Sequence, residues 1–186
     1  MEKTLPLMLR TRAKDSPDIV IQYYKDSSGT FKTKTYRQFY EEVCFLTAGL
    51  IELGLERGNH VGLIADNRHE WMLADFGILS IGAVDVPRGC DITVQEFIYI
   101  LGFTGCAAAF AENQKQVQKI LSVKADLPAL TALITRTYAD ARTHARTPAA
   151  KGKRQQGYAR HCNRGLSRCR RRRLLCQGCA PETRRL

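Results

Sequence analysis

The stretch from Gly58 to Pro87, GNHVGLIADNRHEWMLADFGILSIGAVDVP, constrains the fold more than any other part of the chain. Residues 60–64 are a short apolar run with the β-branched content of a buried strand. Ala65-Asp66-Asn67 interrupts it, and Asn67 with Glu70 three residues on has the form of a helix N-cap and its N3 partner. Trp71, Ala74, Ile78 and Leu79 then recur at helical spacing. Gly82 stands where a helix can end in the left-handed conformation, and residues 83–86 are a second apolar run closed by Pro87. Strand, helix and strand in about thirty residues make a βαβ unit, which closes as a right-handed parallel crossover.

The same alternation continues on either side. Thr4 precedes a short helix that tolerates Pro6 in its first turn and places Leu5, Met8 and Leu9 on one face. Residues 19–24 and 30–34 read as two strands joined by Lys25-Asp26-Ser27-Ser28-Gly29, a hairpin. Thr35 and Gln38 form a capping box for a long helix with the stripe Tyr36, Phe39, Val43, Leu46, Leu50 and Leu53, ended by Gly54. Thr93 and Glu96 form another box for a helix through Leu101, followed by a strand over 106–110. Residues 112–125 suit a helix with Val117, Ile120 and Leu121 inward, and 127–135 hold a last strand. Apolar runs near 62, 85, 108 and 133, spaced by helical stretches, predict an α/β fold: a parallel-sheet subdomain with an N-terminal hairpin.

The formal charge of +11 on 186 residues would point to a polyanionic partner, but the charge is not evenly spread. Residues 1–135 hold 14 Lys+Arg against 16 Asp+Glu, and residues 136–186 hold 15 against 2. The chain therefore divides into a nearly neutral α/β region, 1–135, and a basic tail, 136–186. With Leu166, Leu174, Leu175 and Leu186 isolated among arginines, the tail cannot offset about 1–2 kcal/mol of backbone entropy per residue and is expected to be disordered. Of the seven cysteines, Cys44, Cys90 and Cys106 read as small buried hydrophobes of a reducing compartment. Residues 1–14 lack an apolar signal core, and the longest uncharged run, 97–111, is shorter than the about 20 residues a bilayer needs. A cytoplasmic location without a transmembrane segment is expected.

Asn67-x-x-Glu70-Trp71 followed by Gly82-Ala83-Val84-x-Val86-Pro87 resembles the early segment of the AMP-forming acyl-CoA synthetases, the adenylate-forming ligases, nearest to the long-chain fatty-acid–CoA ligase type. The resemblance runs over about residues 4–135 and implies part of the N-terminal α/β portion of the synthetase's large domain. For whole members it implies ATP-dependent acyl-adenylate and then acyl-CoA formation, with ATP, magnesium and coenzyme A as cofactors. That chemistry needs a Ser/Thr/Gly-rich loop ending in Lys around the triphosphate, a carboxylate on the ribose, a Glu for magnesium and a Lys from a mobile C-terminal domain. The 186 residues contain no such loop. Accordingly no catalytic, cofactor-binding or metal residue is assigned, and no cofactor is expected for this fragment.

Several residues invite a functional reading and each has a plainer one. Ser27-Ser28-Gly29-Thr30 looks superficially like a phosphate loop but sits in the hairpin turn. His69-Glu70 begins like a zinc-protease helix, but Leu73 occupies the second ligand position, leaving Glu70 to cap its helix and Trp71 to pack. Asp66, Asp85 and Asp91 fall near strand ends, where α/β folds place ligands and also turns. In the tail, His161, Cys162, Cys169, Cys176 and Cys179 offer a single C-x-x-C, and Arg170–Arg173 would attract phosphates with only Tyr158 to stack on bases.

The preferred expectation is a truncated, inactive synthetase-like protein whose tail is read out of frame. An alternative is a non-enzymatic binding module whose cationic tail contacts nucleic acid or acidic membrane. A third expectation is that the fragment pairs with a separately encoded remainder of the synthetase.

Overall fold

The computed structural model describes residues 4–26 and 28–135. Helix α1 (Leu5–Asp15) starts at Thr4, whose hydroxyl accepts from Leu7 N at 3.4 Å, with Pro6 in the first turn. Leu9 and Ala13 are its buried residues, while Leu5 and Met8 stay exposed, so the inward face is narrower than the sequence suggested. Strands β1 (Val20–Lys25) and β2 (Phe31–Thr35) pair antiparallel as the expected hairpin. Its turn is organised by Asp26, whose Oδ1 accepts from Ser28 N at 2.9 Å, Ser28 Oγ at 2.6 Å and Thr30 N at 3.0 Å. Those amides are the ones a phosphate would have used. The turn is structural.

Helix α2 (Tyr36–Glu52) opens with the Thr35–Gln38 capping box. It ends at Gly54, whose φ of 87° is the left-handed stop that a side chain would resist. Phe39, Val43 and Leu50 are its buried residues. Next come β3 (His60–Ile64), α3 (His69–Ser80) and β4 (Val84–Arg88), with His60 to Ile64 in parallel register with Val84 to Arg88. The predicted βαβ unit is present. Its helix starts differently, however: Arg68, not Asn67, is the N-cap, its side chain makes no cap bond, and Glu70 pairs with Arg68 and His69.

Helix α4 (Val94–Phe103) begins with the Thr93–Glu96 box, followed by β5 (Ala108–Ala111), α5 (Gln114–Ser122) and β6 (Ala132–Thr135). Strand β5 is shorter than the run read over 106–110, and α5 is capped by Asn113. On α5 the buried polar residue Gln116 replaces Leu121, which is exposed.

The four strands lie in the order β4-β3-β5-β6, all parallel. An all-parallel sheet must be covered on both faces. On one, Phe97 and Leu101 of α4 and Val117 and Ile120 of α5 pack against Ile64 and Ala109. On the other, Leu50 of α2 and Ile78 of α3 meet Val61, Ala83 and Ala108. Beyond that layer, Leu9, Phe39, Val43, Leu73 and Phe76 lock α1, α2 and α3 together, with Ile21 of the hairpin against them. Gly62 sits mid-strand because a Cβ there would lie 2.7 Å from Leu101 Cδ2 and 3.2 Å from Ala109 Cβ. Pro87 is accommodated because β4 is an edge strand. Val84 N donates inward to Asn59 O, so two-residue alternation turns the nitrogen of Pro87 outward.

Among the described residues no helix is long and apolar enough to cross a membrane. The tail expectations, including its disorder, the metal reading of His161, Cys162, Cys169, Cys176 and Cys179, and the polyanion contact of Arg170–Arg173, lie outside the described residues.

Candidate functional site

A cleft of about 730 Å³ opens between the hairpin, the start of α3 and the segment after β5. Tyr24, Lys34, Arg68, His69, Glu70 and Glu112 supply most of its chemistry. The carboxyl ends of parallel strands, where Arg68 and Glu112 stand, are where the strand twist leaves room for a ligand.

Distant elements and near neighbours in sequence both hold these side chains. Gln22 Nε2 in β1 donates to His69 O at 3.1 Å, and the Tyr24 and His69 rings stack with centroids 4.0 Å apart and planes inclined by 21°. Lys34 Nζ, almost buried, reaches Glu42 Oε2 at 2.6 Å. Arg68 bridges two carboxylates: Nε to Glu70 Oε2 at 2.8 Å and Nη1 to Glu112 Oε1 at 3.1 Å. His69 Nε2 lies 2.8 Å from Glu70 Oε1. Partial burial holds the imidazole below its ordinary pKa, against the pull of Glu70. Lys34 and Arg68 thus enter the cleft already engaged with carboxylates, which leaves it poorly suited to a polyanion.

At the edge of the cleft, where Glu112 lines it, three loops are tied together. Asp66 Oδ1 accepts from Cys90 N at 2.8 Å, while Glu112 Oε2 accepts from Asp66 N at 2.8 Å and from Cys90 Sγ at 3.3 Å. Burial first, and the bond to Glu112 second, push the Cys90 thiol up to about 11, so it stays protonated near neutrality and is no nucleophile.

The sequence candidates fall out unevenly. Asp66 joins the strand-end knot, and Asp91 pairs with Arg88 at 3.1 Å. Asp85 lies inside β4 near its amino end, away from the ligand-bearing edge. Trp71 is half-buried on α3. Glu70 does not cap α3. Sequence reasoning missed Arg68, Glu112 and Cys90 as site residues, and took Cys90 for a buried hydrophobe. Their available signal was position: Asp66, Cys90 and Glu112 stand one or two residues beyond β3, β4 and β5.

The model of the family described as AMP-binding enzyme matches residues 9–171. The chain belongs to that family. The match continues past Thr135, where the resemblance read from the sequence ends. A long-chain-fatty-acid–CoA ligase of Xenopus laevis, ACSBG2, is 37% identical over 100 residues, 54% of this chain and 14% of the relative. The ligase FadD15 of Mycobacterium tuberculosis is 28% identical over 123 residues, 66% of this chain and 20% of the relative. The chain therefore spans a fifth or less of the length of those curated relatives. Among solved structures, a Mycobacterium tuberculosis fatty acyl CoA synthetase superposes with a TM-score of 0.62 at 27% identity, over 70% of this chain and 26% of that one. The N-terminal domain of FACL13 from the same organism gives a TM-score of 0.66 at 24% identity, over 81% and 39%; it speaks to the fold.

Proposed function

We propose that residues 4–135 are the N-terminal α/β portion of a long-chain fatty-acid–CoA ligase, and that the 186-residue chain alone forms neither an acyl adenylate nor an acyl-CoA. The family match over residues 9–171 carries the first half of this reading, together with relatives whose names specify long-chain fatty acids. Two observations support the second. The sequence has no Ser/Thr/Gly-rich loop ending in Lys to surround a triphosphate. In the cleft, Lys34 and Arg68 are each paired with glutamates at 2.6–3.1 Å, so neither is free to stabilise phosphate charge.

The implied partner is the remainder of a synthetase, carrying the ATP loop, the magnesium ligand and the C-terminal domain. The test is pyrophosphate release that requires both fatty acid and ATP. The purified chain should give none, and a mixture with a separately expressed remainder of a related ligase should give some and co-purify. Release by the chain alone overturns the inactive reading.

The shift in composition after Thr135 supports an out-of-frame tail, whereas the family match to residue 171 opposes it. Translating the underlying codons in all three frames decides this, since an in-frame tail leaves no phosphate loop to recover in another frame.

A further inference from the structure

We propose that Asp66, Cys90 and Glu112, joined by the amide oxygen of Gln116, bind a borderline divalent transition metal of the zinc class where β3, β4 and β5 end. One ligand atom from each of the first three lies within 4.8 Å of the others, and Cys90 Sγ is 3.3 Å from Glu112 Oε2, so a small inward shift of Asp66 would close the set on a single ion. They come from three loops that follow three adjacent parallel strands, so an ion there would join segments that the sheet has brought together.

Gln116 supplies an independent observation. Its side chain, in a residue only 2 % exposed, reaches the Cys90 loop: Nε2 donates to the backbone oxygen of Cys90 at 3.0 Å. Its Oε1 is sealed from solvent and has no hydrogen-bond partner. A buried acceptor left so destabilises the fold, and a cation would relieve it. Its two polar atoms sit on one carbon, so Oε1 lies at the loop whose backbone oxygen Nε2 binds.

The charge around the site fits a cation. Arg68 takes Glu112 Oε1 and shares itself with Glu70, which leaves Glu112 Oε2 facing Cys90 and Asp66. With a divalent ion between them, the two carboxylates would become co-ligands of a thiolate. On binding, the Cys90 S–H bond breaks, its proton passes to solvent and a sulfur–metal bond forms; nothing is oxidised or reduced. A thiolate in the set selects zinc-like ions over magnesium, which prefers oxygen alone. The site owes nothing to the ligase reading and would serve to pin the three loops.

Cobalt(II) is the probe, because thiolate coordination gives a near-ultraviolet charge-transfer band. The tail cysteines are first removed by Cys162→Ser, Cys169→Ser, Cys176→Ser and Cys179→Ser in the full chain. That protein should still develop the band, zinc should displace it, and adding Cys90→Ser should abolish it. Glu112→Gln, which keeps an oxygen acceptor for Asp66 N, and Gln116→Leu should each weaken the apparent Kd at least tenfold. No band in the tail-substituted protein, or one that survives Cys90→Ser, overturns the proposal. If Cys90→Ser fails to fold, an unchanged Kd in Glu112→Gln overturns it equally.

Discussion

Helices α3 and α4 both start just past the carboxyl end of a parallel strand, yet their first turns are built in opposite ways. In α4 the helix closes itself: Thr93 Oγ1 accepts from Glu96 N at 3.3 Å, and Glu96 Oε2 accepts from Thr93 N at 2.7 Å. In α3 the N-cap residue makes no side-chain cap bond, and Arg68 and His69, besides pairing with Glu70, each reach another element. Arg68 goes to Glu112 beyond β5, and His69 stacks on Tyr24 of the hairpin. A closed helix end is a local device with little left to offer a ligand. An open one uses its side chains to join elements far apart in sequence, and the cleft lies beside the open one.

The largest expected effect tests that contrast directly. Arg68→Ala leaves Glu70 and Glu112, both mostly covered, facing each other without their shared guanidinium. The cost should be about 2–3 kcal/mol, less than the 3–5 for a fully buried pair because some solvent reaches all three. Thr93→Ala, which breaks only a local cap, should cost about 1 kcal/mol. Urea unfolding of both variants compares them on one scale. Equal losses would mean that the open end is no more tied to the rest of the fold than the closed one.

This contrast also explains what the sequence could disclose. Both capping boxes, Thr35–Gln38 and Thr93–Glu96, were legible because four consecutive residues contain the whole device. The parallel sheet was legible because its strands are apolar runs bounded by glycine and polar turns. The start of α3 differs from the sequence reading because Asn67 and Glu70 have the right spacing for a cap, while Glu70 pairs instead with Arg68 and His69, and the fold alone brings Glu112 to Arg68. The strand-end knot was out of reach for the same reason: Asp66, Cys90 and Glu112 are separated by 24 and 22 residues. Buried Gln116 is a further case, since nothing local marks one glutamine of a polar helix as the inward one.

An acid in each helix sharpens the comparison through pH. On α3, burial first and then Asp85 raise Asp75 from the ordinary 3.8 to about 6. The folded chain then holds a proton that the unfolded chain releases, so this stability is present below about pH 4 and is lost as pH rises through about 6. On α4, the backbone amide and hydroxyl of Thr93 hold Glu96 below its ordinary value, so its contribution runs the other way and is lost in acid. Asp75→Asn should therefore stabilise the protein at pH 7 by on the order of 1 kcal/mol, the shift being discounted because Asp75 is half-solvated. The gain should vanish at pH 4. Melting curves at the two pH values read the difference, and an equal gain at both would remove titration as its cause.

The smallest expected effect bears on the point where sequence and structure part. Asn67 is exposed and lies one residue outside the N-cap of α3. Asn67→Ala should then change stability by less than about 0.5 kcal/mol, the range of ordinary surface changes. A cap at that position would give about 1 kcal/mol, the same as Thr93→Ala. The two variants place an identical chemical change, loss of a capping polar group, at the two helix starts. A near-zero result at Asn67 beside a full cap loss at Thr93 means that Asn67 does not cap α3, whose start is tied to other elements by the Arg68–Glu112 ion pair and the Tyr24–His69 stack. A full loss at Asn67 would instead return α3 to the self-closed type, and the carboxylates around Arg68 would then be free to rearrange when the cleft takes a ligand.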